Sequence, residues 1–191
     1  MAFENEKKQA IDKMRSGDKS RKGSVDARIS RLVDAINADD DYYTTSSCSG
    51  RIIILTYPGS RKDVKWLYVT HETADASEII EKLSNIPTDQ VWFKQESFIL
   101  HVAARDMKSA QKLIALCKSH GLKRAGIYSV SKKITIEIIY HLGFETPISK
   151  EGKLIVPTDF ISELTSIANL NMKSNWDKID EITRSLGSIG K

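Results

Sequence analysis

Cysteine is scarce: Cys48 and Cys117 are the only two in 191 residues. Two thiols exclude a disulfide framework and a four-cysteine zinc site, and they fit a reducing compartment. No run of about 18 apolar residues occurs, the length a transmembrane helix needs. The opening Met-Ala-Phe-Glu-Asn-Glu-Lys-Lys has no apolar signal region, so the expected location is the cytoplasm. No GxGxxG opens a helix after a strand and no GxxxxGK[ST] occurs, so the Rossmann and P-loop phosphate grips are missing. The four histidines, His71, His101, His120 and His141, are scattered, and none has a helical i, i+4 partner. No metal site is expected from them.

What is present is ordinary globular composition, 40% hydrophobic and 28% charged, with a formal net charge of +4. The charge is uneven. From Arg15 to Arg31, Arg15, Lys19, Arg21, Lys22, Arg28 and Arg31 stand against Asp18 and Asp26 alone. Such a patch suits a polyanion such as RNA, and its plain alternative is a solvated loop and helix face.

In chain order, residues 3–15 read as a helix ended by Gly17, and residues 18–23 as a polar turn. Ser24 is the expected cap of a second helix reaching Asn37, with Val25, Ile29, Leu32, Val33 and Ile36 inward. A hydroxyl-rich stretch, Tyr42 to Arg51, leads into the first firm strand at Arg51–Tyr57. Pro58-Gly59-Ser60 marks a turn. Lys65–Thr70 reads as a strand that delivers His71. Asp75 with Glu78 resembles a capping box for the next helix. Val91–Gln95 and Ser97–Ala103 follow as strands. Asp106 is the expected cap of a helix over 107–119, and Gly121 its C-terminal stop. Strands near 124–130 and 132–140 come next, with another at Leu154–Val156. Pro157-Thr158 opens a long helix striped by Phe160, Leu164, Ile167, Ala168, Met172, Trp176, Ile179, Ile182 and Leu186. Without a repeated βαβ pattern, the fold class is α+β: one compact domain over 1–191, a mixed or antiparallel sheet packed by helices, non-Rossmann. Residues 1–37 form a basic helical arm.

The chemistry concentrates in Thr44-Thr45-Ser46-Ser47-Cys48-Ser49-Gly50-Arg51. Short hydroxyls and a glycine backbone can line a pocket, and Arg51 can hold a phosphate or carboxylate. Cys48 with His71 or His101 would make a thiol nucleophile, against the commoner small buried cysteine. His71, at a strand end, suits a general base near neutral pH or a surface turn. Lys94 and Glu96 flank Gln95 as a charged pocket wall or a solvated hairpin. Asn169, Asn171 and Asn175 are unusual in a helix interior and are candidate contacts, with solvent exposure the alternative.

These residues resemble a known family. Asp18-Lys19-Ser20, Lys22-Gly23-Ser24, Asp26, Asn37, the string Tyr43 to Ile52, Trp66 and His71 follow the pattern of tRNA wybutosine-synthesizing protein 3 in its short archaeal form. So do Val91 to Glu96, Phe98 to Val102, Ala103, Arg105-Asp106, Gly121, Gly126-Ile127, Ala168-Asn169 and Asn175. Ser97 departs from it, where the family often has proline. The resemblance implies an S-adenosylmethionine-dependent, non-Rossmann methyltransferase acting on a ring nitrogen of a tricyclic guanine derivative beside the anticodon of tRNA(Phe). On that basis His71 is the first candidate base, with Glu96 or His101 second. Ser46, Ser47, Ser49, Gly50, Arg51 and Asn169 are candidate cofactor contacts. Lys19, Ser20, Arg21, Lys22 and Lys94 are candidate contacts to the anticodon loop. Tyr43, Trp66 or Trp92 would stack on the base. The alternatives are a non-catalytic RNA-binding module and a thiol enzyme built on Cys48.

Overall fold

The structure, a computed structural model, describes residues 2–15, 25–57 and 63–187. They form an α+β fold in two compact units, the first built from residues 1–49, 98–141 and 176–191, the second from 50–97 and 142–175. Every strand pair among the described residues is antiparallel.

The first unit contains helices α1 (Ala2–Arg15), α2 (Ala27–Ala38) and α4 (Met107–Ser119), and strands β1 (Tyr42–Cys48), β5 (Ile99–Ala104), β6 (Gly126–Ser129) and β7 (Ile134–Ile139). The strands lie in the order β1-β5-β7-β6. Alternation along each strand assigns its residues to two faces. One face carries Leu100, Val102, Ile136 and Ile138 into a core with Ile29, Leu32 and Ile36 of α2 and Leu113 and Cys117 of α4. The other carries His101, Thr135 and Glu137. Burial pushes the Cys117 thiol up to about 12, so it is a core side chain without thiolate chemistry.

The second unit contains β2 (Arg51–Thr56), β3 (Trp66–Thr70), β4 (Val91–Glu96) and β8 (Phe144–Pro147), in the order β3-β2-β4-β8. A short ribbon of β9 (Ser149–Lys150) and β10 (Lys153–Leu154) and helix α3 (Ala76–Lys82) complete it, with the first part of α5 (Thr158–Gly187). Its core is Ile52, Ile53, Ile54, Val91, Phe93, Ile148, Ile161, Leu164, Ala168 and Met172.

Several sequence expectations change. Ser24, Lys19 to Lys22 and Pro58-Gly59-Ser60 lie outside the described residues, and α2 starts behind Asp26 as N-cap. The hydroxyl-rich stretch is itself strand β1, because Tyr42, Tyr43, Thr44 and Thr45 are good strand formers whatever their polarity. Strands β4 and β5, two residues apart, belong to different sheets, so Lys94 and Glu96 are not on a hairpin. Phe144–Pro147 is a strand that the reading missed. On α5, Ile161 is buried while Phe160 and Ile167 are 42% and 40% exposed, so the stripe is shifted there by one residue. Asp106 and Asp75 do cap, accepting from Ser109 N at 2.8 Å and Ser77 N at 2.8 Å. Glu78 meets the Tyr68 hydroxyl rather than closing a box. Gly121 ends α4 with φ 81° in a Schellman arrangement, with Leu122 N donating to Cys117 O at 2.9 Å and Gly121 N to Lys118 O at 3.0 Å.

Candidate functional site

Strand β1 is fixed at both ends by α2. As N-cap, Asp26 makes no side-chain bond to its own helix; its carboxylate accepts from Ser49 N at 3.0 Å and Ser49 Oγ at 3.2 Å. Asn37 accepts from Thr44 N at 2.8 Å. These two bonds hold the hydroxyl-rich strand against β5, where Ser46 pairs with His101 across a register shift between Thr44 and Ser46. Such a shift re-aims side chains locally. Beyond it, Ser46 and Ser47 point to opposite faces, so they do not line one pocket wall together. Ser49 is fully buried on Asp26.

On the Ser46 side the geometry is specific. Ser46 Oγ lies 2.8 Å from His101 Nδ1, and His101 Nε2 lies 3.2 Å from Glu137 Oε2. Neutral imidazole has one donor and one acceptor. With Nε2–H donating to the carboxylate, Nδ1 accepts from the serine. A hydroxyl, an imidazole and an orienting carboxylate in series form a path for removing a proton. His101 is half-buried, and the Tyr128 ring stands edge-on to it, centroids 5.1 Å apart. Sequence reasoning missed Glu137 and Tyr128. Only the strand register, pairing His101 with Glu137, brings them in.

In the second unit, Arg51 Nε donates to Glu96 Oε2 at 2.6 Å, and its guanidinium lies 4.9 Å from the Trp66 ring centroid. The register, Arg51 opposite Glu96, produces this pair. Lys94 completes the cluster at 3.1 Å from Glu96 and 3.1 Å from Glu145. Burial works to raise the Glu96 pKa, but Arg51 and Lys94 outweigh it and hold the carboxyl below its usual range. Glu96 is thus an ionised anchor for Arg51 and a weak base. Burial opposes the Lys94 charge, yet bonds to both carboxylates raise its pKa. Its charge is already balanced, which leaves little for an RNA phosphate.

Asn169 is a clamp: its Oδ1 accepts from Ala74 N at 2.8 Å and its Nδ2 donates to Ala74 O at 2.9 Å. It ties α5 to the segment that follows His71, and both ends of its amide are engaged there. Asn171 donates to buried Gln95 at 3.0 Å. His71 is half-buried just beyond β3. Gly50, buried with φ 93°, links β1 to β2 in a conformation that glycine favours. Of the expected stacking rings, Tyr43 is 1% exposed and cannot receive a base, and Trp92 is half-buried against Tyr57, whereas Trp66 is 39% exposed.

The family described as Methyltransferase TYW3 matches residues 5–188. The chain belongs to this family. Among TYW3 relatives, the tRNA(Phe) 7-((3-amino-3-carboxypropyl)-4-demethylwyosine(37)-N(4))-methyltransferase 1 of Pyrococcus horikoshii is 32% identical, over 99% of this chain and 97% of that protein. The tRNA wybutosine-synthesizing protein 3 homolog of Danio rerio is 34% identical, over 97% of this chain and 74% of its own. A solved structure from Pyrococcus horikoshii superposes with a TM-score of 0.88 at 33% identity, covering 96% of this chain and 95% of that one. The TYW3 assignment makes the chain a methyltransferase and disfavours the plain RNA-binding module. The non-Rossmann α+β fold is that of the Pyrococcus structure.

Proposed function

We propose that this chain transfers a methyl group from S-adenosylmethionine to a ring nitrogen of the tricyclic wyosine-type base beside the anticodon of tRNA(Phe). The observation that carries the reading is the match over residues 5–188, with full-length relatives named for that reaction.

The donor set fits the cofactor. A carboxylate needs a guanidinium and an adenine ring needs an aromatic partner; Arg51 and Trp66 supply both, 4.9 Å apart. Glu96 accepts at Nε, so the Arg51 terminal nitrogens would take the methionine carboxylate. When bound, S-adenosylmethionine supplies an electrophilic methyl group on a sulfonium. The chain's own task is to orient the acceptor and to take its proton. Ser46 would pass that proton to His101, and Glu137 would hold the imidazole and balance its charge. This assigns the base to His101 ahead of His71, whose place beyond β3 makes it the competing assignment. Lys19, Arg21 and Lys22, with Ser20 beside them, would hold the anticodon-loop backbone, giving salt-dependent affinity. The reaction would take place in the cytoplasm.

The test is incubation of the protein with S-adenosylmethionine and tRNA(Phe) carrying the unmethylated precursor, followed by mass spectrometry of the nucleosides. The expected product is the precursor base heavier by one methyl. Unchanged nucleoside, with heat of donor binding absent in calorimetry, would reject the reading.

A further inference from the structure

The core of the sheet β1-β5-β7-β6 lies on one face with α2 and α4, and α1 covers the β1 end of the other, where Phe3 and Glu6 meet buried Tyr43, while the β6 end of that face stays open. This open end carries features that no core accounts for. Tyr128, on edge strand β6, is 68% exposed, the most open of the large apolar side chains among the described residues. It faces His101 and therefore belongs to the side away from the core. Beside it, the β6–β7 turn carries Lys132 and Lys133, both exposed. Lys133 shares the alternation of Thr135 and Glu137, and its Nζ lies 5.3 Å from the ring centroid of buried Tyr43, so it lies on the same face as Tyr128 and beside the part that α1 covers.

The surrounding charge is one-sided. Residues 107–136 contain seven cations and no aspartate or glutamate; Lys132 and Lys133 lie beside Tyr128 in the β6–β7 turn, whereas Lys108, Lys112 and Lys118 are on α4, on the core side of the sheet, and Lys123 and Arg124 are in the turn before β6. A solvated sheet edge is often guarded by a lysine. A guard does not require an exposed tyrosine, or thirty residues without an acid. An open sheet face bearing an aromatic ring and flanking cations is how proteins take single-stranded nucleic acid: a base stacks on the ring and phosphates meet the cations.

We propose that this face is a docking platform for single-stranded RNA, with a base on Tyr128 and the adjoining backbone over Lys132 and Lys133. The proposal rests on the RNA-modifying reading above and adds a surface separate from residues 19–22. Glu137 does not oppose it, because its carboxylate meets His101.

The experiment is fluorescence anisotropy of a labelled anticodon stem-loop RNA against the full chain at several salt concentrations, with Tyr128→Ala, Tyr128→Phe and the Lys132→Ala/Lys133→Ala pair. Loss of one stacked base should weaken binding about tenfold in Tyr128→Ala, while Tyr128→Phe keeps affinity within about twofold. The lysine pair should lower the salt slope by about 1 to 2. Wild-type affinity in both Tyr128→Ala and the lysine pair would overturn the platform while leaving methyl transfer by the wild-type protein intact. An acidic peptide competing as well as RNA would overturn the choice of partner. Absence of both RNA binding and methyl transfer in the wild-type protein would overturn the functional reading and this proposal together. Tyr128 is exposed, so loss of fold is not expected from its substitution, and thermal melts of each variant check this.

Discussion

A carboxylate that never touches the substrate can decide how well an imidazole works. In the proposed reaction Glu137, 3.2 Å from His101 Nε2, would fix the tautomer and orientation of His101, and the proton it steadies would come through Ser46, 2.8 Å from Nδ1. Glu137→Gln keeps the shape of the side chain and removes its charge. We expect it to lower turnover about tenfold or more while tRNA affinity stays near wild type. His101→Ala should lower turnover by about a hundredfold to ten-thousandfold, the usual weight of general base catalysis. Single-turnover methyl transfer, measured beside RNA binding, separates these effects. A larger turnover loss in His71→Ala than in His101→Ala would move the base to the second unit. Little of this was legible in the sequence. Ser46 and His101 stood out as residue types, but they are fifty-five positions apart in the chain, and Glu137 looked like any strand glutamate. Their meeting depends on which strands pair and in what register, which is a tertiary outcome.

At the scale of elements, the motif residues Asp26 and Asn37 prove to be supports. They attach β1 to α2: Asn37 accepts from Thr44 N in the strand, and Asp26 accepts from Ser49 N and Oγ just past its end. Asp26→Ala removes the carboxylate that accepts from the buried Ser49 amide and hydroxyl. That should cost about 1 to 3 kcal/mol, read by urea denaturation, and should reduce activity through displacement of Ser46. Elements with strong local signals were read well: the caps Asp75 and Asp106, the stop at Gly121, and the long helix opened by Pro157-Thr158. The β1 strand was read as a pocket wall because its hydroxyls masked good strand propensity. Phe144–Pro147 was missed because four residues ending in proline give no period, and only its place at the sheet edge accommodates that proline.

For the whole molecule, pH dependence follows from the Arg51, Lys94 and Glu96 cluster. The Glu96 pKa is depressed in the folded state below its ordinary value of 4.5. Its contribution to stability is therefore full above about pH 4.5 and is lost as pH falls through the folded value. Melting temperature should hold from pH 7 to about pH 5 and then decline, and Glu96→Gln should melt lower at pH 7 with a shallower acid decline. A Glu96→Gln protein that melts like wild type at pH 7 would show the cluster to be electrostatically idle.

The way the chain is threaded has a consequence in time. The first unit draws on three separated stretches and the second on two, and helix α5 gives residues to both. During synthesis the first unit starts with α1, α2 and β1 yet is completed only by residues from Trp176 onward. Contacts that join such distant parts of a chain form late and slowly. Acquisition of protease resistance should therefore wait until α5 has been made and exposed. Ribosome-stalled chains ending before Thr158 should be digested readily, and chains that expose all of α5 should resist. Early resistance in the short chains would show that one unit folds without its last segment.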